Sequence, residues 1–135
     1  MFERSITIMN RRELETLLLT LESTPALLAR AAAELSPAQA RRSPKNGGFS
    51  FVENVWHLAD LEREGYGVRI RRLLTEEEPM LSNFDGNRVA RERTYAKRDL
   101  AEGLTAFARA RHANLTALRS VSPARADSTI PAMPE

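Results

Sequence analysis

The sequence predicts an all-α, up-down helix bundle with three long helices, and three observations carry that prediction. Apolar residues recur at three- and four-residue steps over most of the chain. Cap-forming residues stand in front of each apolar run, with an acidic or amide side chain three positions on. No segment alternates apolar and polar residues as a half-buried strand would. The chain has 135 residues, 42% of them apolar, which is enough for one domain with a real core. Aromatic residues are only 6%, so that core is built mainly from Leu, Ala and Val.

The first helix begins at Asn10, with Glu13 behind it, and its stripe is Leu14, Leu17, Leu18, Leu21, Leu28 and Leu35. Pro25 falls inside the stripe, so the helix either kinks there or restarts with Thr24 as its cap. Ser36-Pro37, with Gln39 following, is a second stop-and-cap signal, and Ser43-Pro44-Lys45-Asn46-Gly47-Gly48 is a loop. Ser50 and Glu53 open the strongest helix, whose stripe runs Val52, Val55, Trp56, Ala59, Tyr66, Ile70, Leu73, Leu74. Leu58, Leu61 and Val68 widen its apolar face, as a helix packed between others requires. Gly65 and Gly67 each weaken it by about 1 kcal/mol, and their expected role is to admit a neighbouring helix.

Glu76-Glu77-Glu78-Pro79 lies past that helix as a solvated run, and Asn83-Phe84-Asp85-Gly86 reads as a turn with Asp85 capping it. Residues 88–97 form a short polar helix. The third long helix starts at Asp99, with Glu102 behind the cap, and carries Leu100, Leu104, Phe107, Ala108, Leu115 and Leu118. The domain thus spans 1–121, and residues 122–135, with Pro123, Pro131 and Pro134, form an irregular tail. The three long helices are expected to run antiparallel.

Several classes of function drop out. With no cysteine, there is no disulfide framework, thiol nucleophile or cysteine-type zinc site. No apolar run approaches the ~20 residues of a membrane span, and Met1-Phe2-Glu3-Arg4 begins no signal peptide, so a cytoplasmic protein without membrane contact is expected. The isoelectric point near 9.5 rests on a net charge of only +2. Basic residues concentrate at Arg88, Arg91, Arg93, Lys97 and Arg98, diluted by Glu92 and Asp99. That stretch reads either as a solvated helix face or as a phosphate-binding patch; with Tyr95 as its only ring, nucleic acid is not the expected partner. Gly47-Gly48 lacks the Lys-Ser/Thr of a phosphate loop, and no serine stands in a nucleophile elbow.

The segment Phe49-Ser50-Phe51-Val52-Glu53-Asn54-Val55-Trp56-His57-Leu58-Ala59-Asp60-Leu61-Glu62 resembles the DinB-like superfamily, four-helix bundles whose second helix carries a Trp-His-Leu-Ala-Asp-type motif. The likeness continues through Arg69-Ile70, Glu78-Pro79 and Phe84-Asp85 to the run from Leu104 to Arg111, covering roughly residues 10–121. It implies a DinB-like up-down bundle and a divalent metal, zinc or nickel, held by three histidines. His57 matches the ligand of the second helix. The other two ligands belong to an His-x-x-x-His pair on a fourth helix, and this sequence contains no such pair. Family members include thiol-dependent S-transferases and isomerases, and others are described as metal-dependent hydrolases.

One imidazole does not make the three-ligand site of a catalytic zinc-type centre. His57 is therefore read in three ways: a retained ligand position without a working site, a ligand completed by other donors, or a packed or capping histidine. Asp60 and Glu64, three and seven residues on, could add oxygen ligands or form a carboxylate pair, whereas His112 matches no ligand position and reads as a surface residue. Without the fourth helix, an apolar groove lined by Leu61, Val68, Leu104 and Leu115 is expected, covered by the tail, by another amphipathic helix or by a second copy. A homodimer or higher oligomer follows as the expectation. The functional expectation is a degenerate family member acting as an oligomeric helical module. The alternative is a metal-dependent thiol S-transferase or hydrolase-like enzyme whose site is completed in trans, with a small-molecule thiol as partner.

Overall fold

The computed structural model describes residues 10–75 and 84–120. The acidic run Glu76-Glu77-Glu78-Pro79, Asn83 of the expected turn, and the proline-rich tail lie outside these residues. Helix α1 spans Arg11–Ala33, α2 Pro37–Ala40, α3 Phe51–Asp60, α4 Gly67–Thr75, α5 Gly86–Glu92 and α6 Leu100–Arg119. A π-helical turn, Leu61–Tyr66, joins α3 to α4 as one rod, and a 3-10 turn, Tyr95–Lys97, leads into α6. No strand occurs among the described residues, and none of the described helices is long and apolar enough to cross a membrane.

The caps form where the sequence places them. Ser36 with Gln39 and Ser50 with Glu53 make complete capping boxes. Asn10 and Asp99 accept the backbone N–H groups of Glu13 and Glu102. Asp85 likewise accepts the Arg88 N–H, so its role in the turn is to cap α5. That helix starts at Gly86 rather than 88, and the stretch is less polar than its composition suggests, because Val89, Ala90 and Tyr95 are buried. Between α5 and the 3-10 turn, Thr94 holds left-handed backbone (φ 53°, ψ 54°), an uncommon and strained state for a β-branched residue.

Helix α6 is the centre of the bundle, packed between α1 on one side and the α3–α4 rod on the other. The main core gathers Val52, Trp56, Ala59, Val89, Ala90, Tyr95 and Phe107, closed at one end by Ala40. A smaller cluster, Leu14, Leu18 and Leu115, fastens α1 to the far half of α6. Leu115 is therefore covered by α1 rather than lining an open groove, while Leu61, Val68 and Leu104 are half-buried. Contacts pair Arg111 with Leu21, and Leu115 with Leu14 and Leu18, so α1 and α6 are antiparallel. Against the rod the order is parallel: Trp56 lies by Asp99 and Gly103, and Glu62 by Arg111 and Asn114. The expectation that all three long helices alternate is thus corrected. The long connection through α5 returns the chain to the start of the rod before α6 begins. Trp56 Nε1 donates to the Asp99 carbonyl at 2.9 Å, and the Arg98 guanidinium lies 3.5 Å from the Trp56 ring centroid.

Pro25 neither stops α1 nor restarts it at Thr24; the helix continues from Arg11 to Ala33. A proline has no N–H for the carbonyl four residues earlier, a defect of about 3 kcal/mol in a helix interior. That carbonyl belongs to Leu21, and Arg111 Nη1 donates to it at 2.7 Å. The same guanidinium binds Glu62 in a two-pronged pair, Nε to Oε2 at 2.7 Å and Nη2 to Oε1 at 3.0 Å. Asn114 completes the junction, its amide donating to the Glu62 carbonyl at 2.8 Å and to Oε2 at 3.0 Å. In the π turn the Glu62 carbonyl takes its backbone bond from Gly67. A Cβ on Gly67 would stand 3.0 Å from that carbonyl and 3.1 Å from Asn114 Oδ1, so the glycine does admit a neighbouring helix. Gly65 instead faces Leu61 and Phe84.

Candidate functional site

Ser50 fixes the start of α3, and about two turns later the helix presents His57 between Phe49 and Phe84. The imidazole centroid lies 5.6 Å from Phe49 and 6.3 Å from Phe84. Behind the ring is Gly86, the first residue of α5, where a Cβ would come within 2.7 Å of Nδ1 and closer still to Cε1. Only glycine lets the backbone approach the ring this closely. Nδ1 is buried and has no hydrogen-bond partner. Burial pushes the His57 pKa below its ordinary 6.5, opposed by the weaker attraction of the Asp60 carboxylate. The ring is therefore neutral near pH 7.

The carboxylates one and two turns further on are already engaged. Asp60 is buried, accepts from the Tyr95 hydroxyl and from Arg93 Nη1 at 2.8 Å, and lies 3.4 Å from Arg63 Nη2. Glu64 takes both terminal nitrogens of Arg93, with Nη2 to Oε1 at 2.8 Å, and Arg63 Nη2 at 2.7 Å. The hydrogen bond from Arg93 is the largest influence holding the Glu64 carboxyl below its usual range. The same pairing, first with Glu64 and then with Asp60, raises the Arg93 pKa further. Burial, then the bond to Asp60, pushes the Tyr95 hydroxyl well up, so it stays a donor. This network clamps the 93–95 turn onto the rod.

The structure thus separates the sequence-nominated residues. His57 stands in an aromatic corner, Asp60 and Glu64 serve arginines and a tyrosine, and His112 is exposed on α6. Among the described residues no group of three His or acidic side chains is placed to hold a metal ion. A three-ligand centre at His57 would need donors beyond those that the described residues bring to it. The sequence alone gave no sign of the partners of Asp60 and Glu64, nor of the Glu62–Arg111–Asn114 junction. Its one usable signal for the π turn was the pair Gly65 and Gly67 inside a strongly helical run.

Comparison with known proteins bears on the family and the fold. A Bacillus licheniformis protein named "Putative metal-dependent hydrolase" is 41% identical over 76 residues, 56% of this chain and 43% of its own length. The match to that relative thus spans under half of the relative. A solved structure, YfiT from Bacillus subtilis, described as "a probable metal-dependent hydrolase with an unusual four-helix bundle topology", superposes with a TM-score of 0.79 at 21% identity. It covers 93% of this chain and 70% of YfiT, and at that identity the likeness is one of fold. The sequence profile of the DinB superfamily matches residues 20–135, and the chain belongs to that superfamily.

Proposed function

We propose that the chain acts as an oligomeric helical module of the DinB superfamily, in which His57 keeps a ligand position without a working metal centre. The observation that carries this reading is the engagement of Asp60 and Glu64 by Arg93, Arg63 and Tyr95. Recruiting either carboxylate to a metal would break charge-assisted bonds, for Asp60 in a buried setting. A second copy of the chain is the proposed partner. Leu17 and Leu27 of α1, 40% and 54% exposed, offer apolar surface that association would cover.

Two measurements test this reading. Calorimetric titration of chelator-stripped protein with Zn²⁺ and Ni²⁺ is expected to give heats no larger than dilution, unchanged in His57→Ala. Light scattering is expected to return a mass above the 15.2 kDa protomer, reduced by Leu17→Glu combined with Leu27→Glu. A saturable isotherm near one metal per protomer, lost in His57→Ala, would overturn the reading.

That outcome would favour a second reading, a metal-dependent hydrolase-like enzyme or thiol S-transferase with the remaining donors supplied by another copy. Its support is the neutral state of His57, the form in which imidazole ligates, and the naming of the B. licheniformis relative as a metal-dependent hydrolase.

A further inference from the structure

We propose that Pro25 and Arg111 form a hinge and latch, through which the N-terminal half of α1 is coupled to the π turn of the helix that carries His57. Three observations on separate elements carry it. Pro25 leaves the Leu21 carbonyl without its helical donor, and the bond that replaces it comes from another helix, from Arg111 Nη1 at 2.7 Å. Arg111 spends its remaining nitrogens on Glu62, a buried carboxylate within the π turn. The half of α1 before Pro25 sits on α6 through Leu14 and Leu18, which cluster with Leu115 apart from the main core, and through the exposed pair of Glu22 with Arg119 at 3.1 Å.

Helix interiors interrupted by proline bend where the missing bond is, because one rung of the ladder is absent there. Here the absent rung is rebuilt by a side chain whose charge is neutralised by Glu62. Swinging residues 11–24 away from α6 therefore cannot occur alone. It removes the acceptor of Nη1, reopens the Leu21 carbonyl, and loosens the guanidinium that holds Glu62 and, with Asn114, the π turn. Seen from the other end, any rearrangement of the π turn that moves Glu62 releases the latch on α1. π turns inside α-helices are frequent at functional sites, and this one begins four residues after His57. The device thus links the α1 surface bearing Leu17 to the rod bearing His57.

The test is a double-mutant cycle read by amide hydrogen exchange on the full chain. Arg111→Met is expected to speed exchange of the amides in residues 15–24 by about tenfold or more. In the Pro25→Ala background the Leu21 carbonyl regains a backbone donor, and the same Arg111 substitution is expected to speed those amides severalfold less, the remaining effect being the loss of the Glu62 pair. Should Arg111→Met fail to fold, Arg111→Lys replaces it, since one ammonium cannot serve Leu21 and both Glu62 oxygens together. Coupling to the π turn is read in residues 62–67: Pro25→Ala is expected to reduce their sensitivity to Arg111 substitution as well. Equal effects of the Arg111 change in the two backgrounds would overturn the proposal.

Discussion

The same rod carries two polar groups one and a half turns apart that are treated in opposite ways. At Glu62 the charges and carbonyls of the junction are paired: Arg111 takes both carboxylate oxygens, Asn114 takes the backbone carbonyl, and Leu21 uses the remaining nitrogen. At His57 the ring is wedged between two phenylalanines and a glycine, and Nδ1 has nothing to bond. Buried polar groups are normally satisfied, so a complete network speaks of architecture, whereas an orphaned donor or acceptor marks a place where structure was not the only requirement. The first region explains how α1, the rod and α6 find one arrangement. The second holds the histidine of the Trp-His-Leu-Ala-Asp segment.

The comparison is broken most forcefully at the junction. Arg111→Met leaves Glu62 buried without its cation, and the expected loss is about 3–5 kcal/mol, measured as a lowered urea midpoint. At the histidine corner the largest expected effect is steric. Gly86→Ala drives a methyl group against the His57 ring and should cost about 1–3 kcal/mol, with a shift of the His57 imidazole resonances. Tyr95→Phe, which removes the hydroxyl on Asp60 but leaves Arg93 in place, is expected to cost about 1–2 kcal/mol by the same denaturation assay.

The smallest effect is one of pH, and it separates His57 from Glu64 by window, since both contributions are lost as pH falls. The His57 pKa is lower folded than unfolded, so the unfolded chain binds more protons between the two values. Its contribution is complete above the ordinary 6.5 and is lost as pH falls through 6.5 toward the folded value. Glu64, also lowered, keeps its contribution above its ordinary 4.5 and loses it only below that. His57→Gln should therefore flatten the stability profile just below pH 6.5 and leave the decline below pH 4.5 intact, as measured by urea midpoints across pH. A slope unchanged by that substitution would show that His57 titrates as an exposed group.

How much was legible beforehand depended on sequence distance. The capping boxes at Ser36 and Ser50, the caps at Asn10, Asp85 and Asp99, and the apolar stripes were readable because each is decided within a few residues. What could not be read were pairings across the chain. Tyr95 sits among cations in the sequence yet is fully buried, because Asp60, thirty-five residues away, receives its hydroxyl. The passage of α1 through Pro25 depended on Arg111, ninety residues from the Leu21 carbonyl it serves. The direction of α6 depended on where the long connection set the chain down. For the candidate site, His57 was found through its motif, but the capture of Asp60 and Glu64 by arginines was set entirely by the fold.

The left-handed turn at Thr94 has a consequence for how this protein could change. Its neighbours Arg93 and Tyr95 both grip the rod, so the backbone between them is held in a shape that a β-branched residue adopts unwillingly. Glycine or asparagine accepts that shape with little strain. Thr94→Gly or Thr94→Asn should therefore raise the melting temperature, by an amount corresponding to roughly 1 kcal/mol. The residue is exposed, so the exchange disturbs no packing. A single substitution at this surface position is thus an open route along which the sequence could drift toward greater robustness, with its core and its histidine untouched.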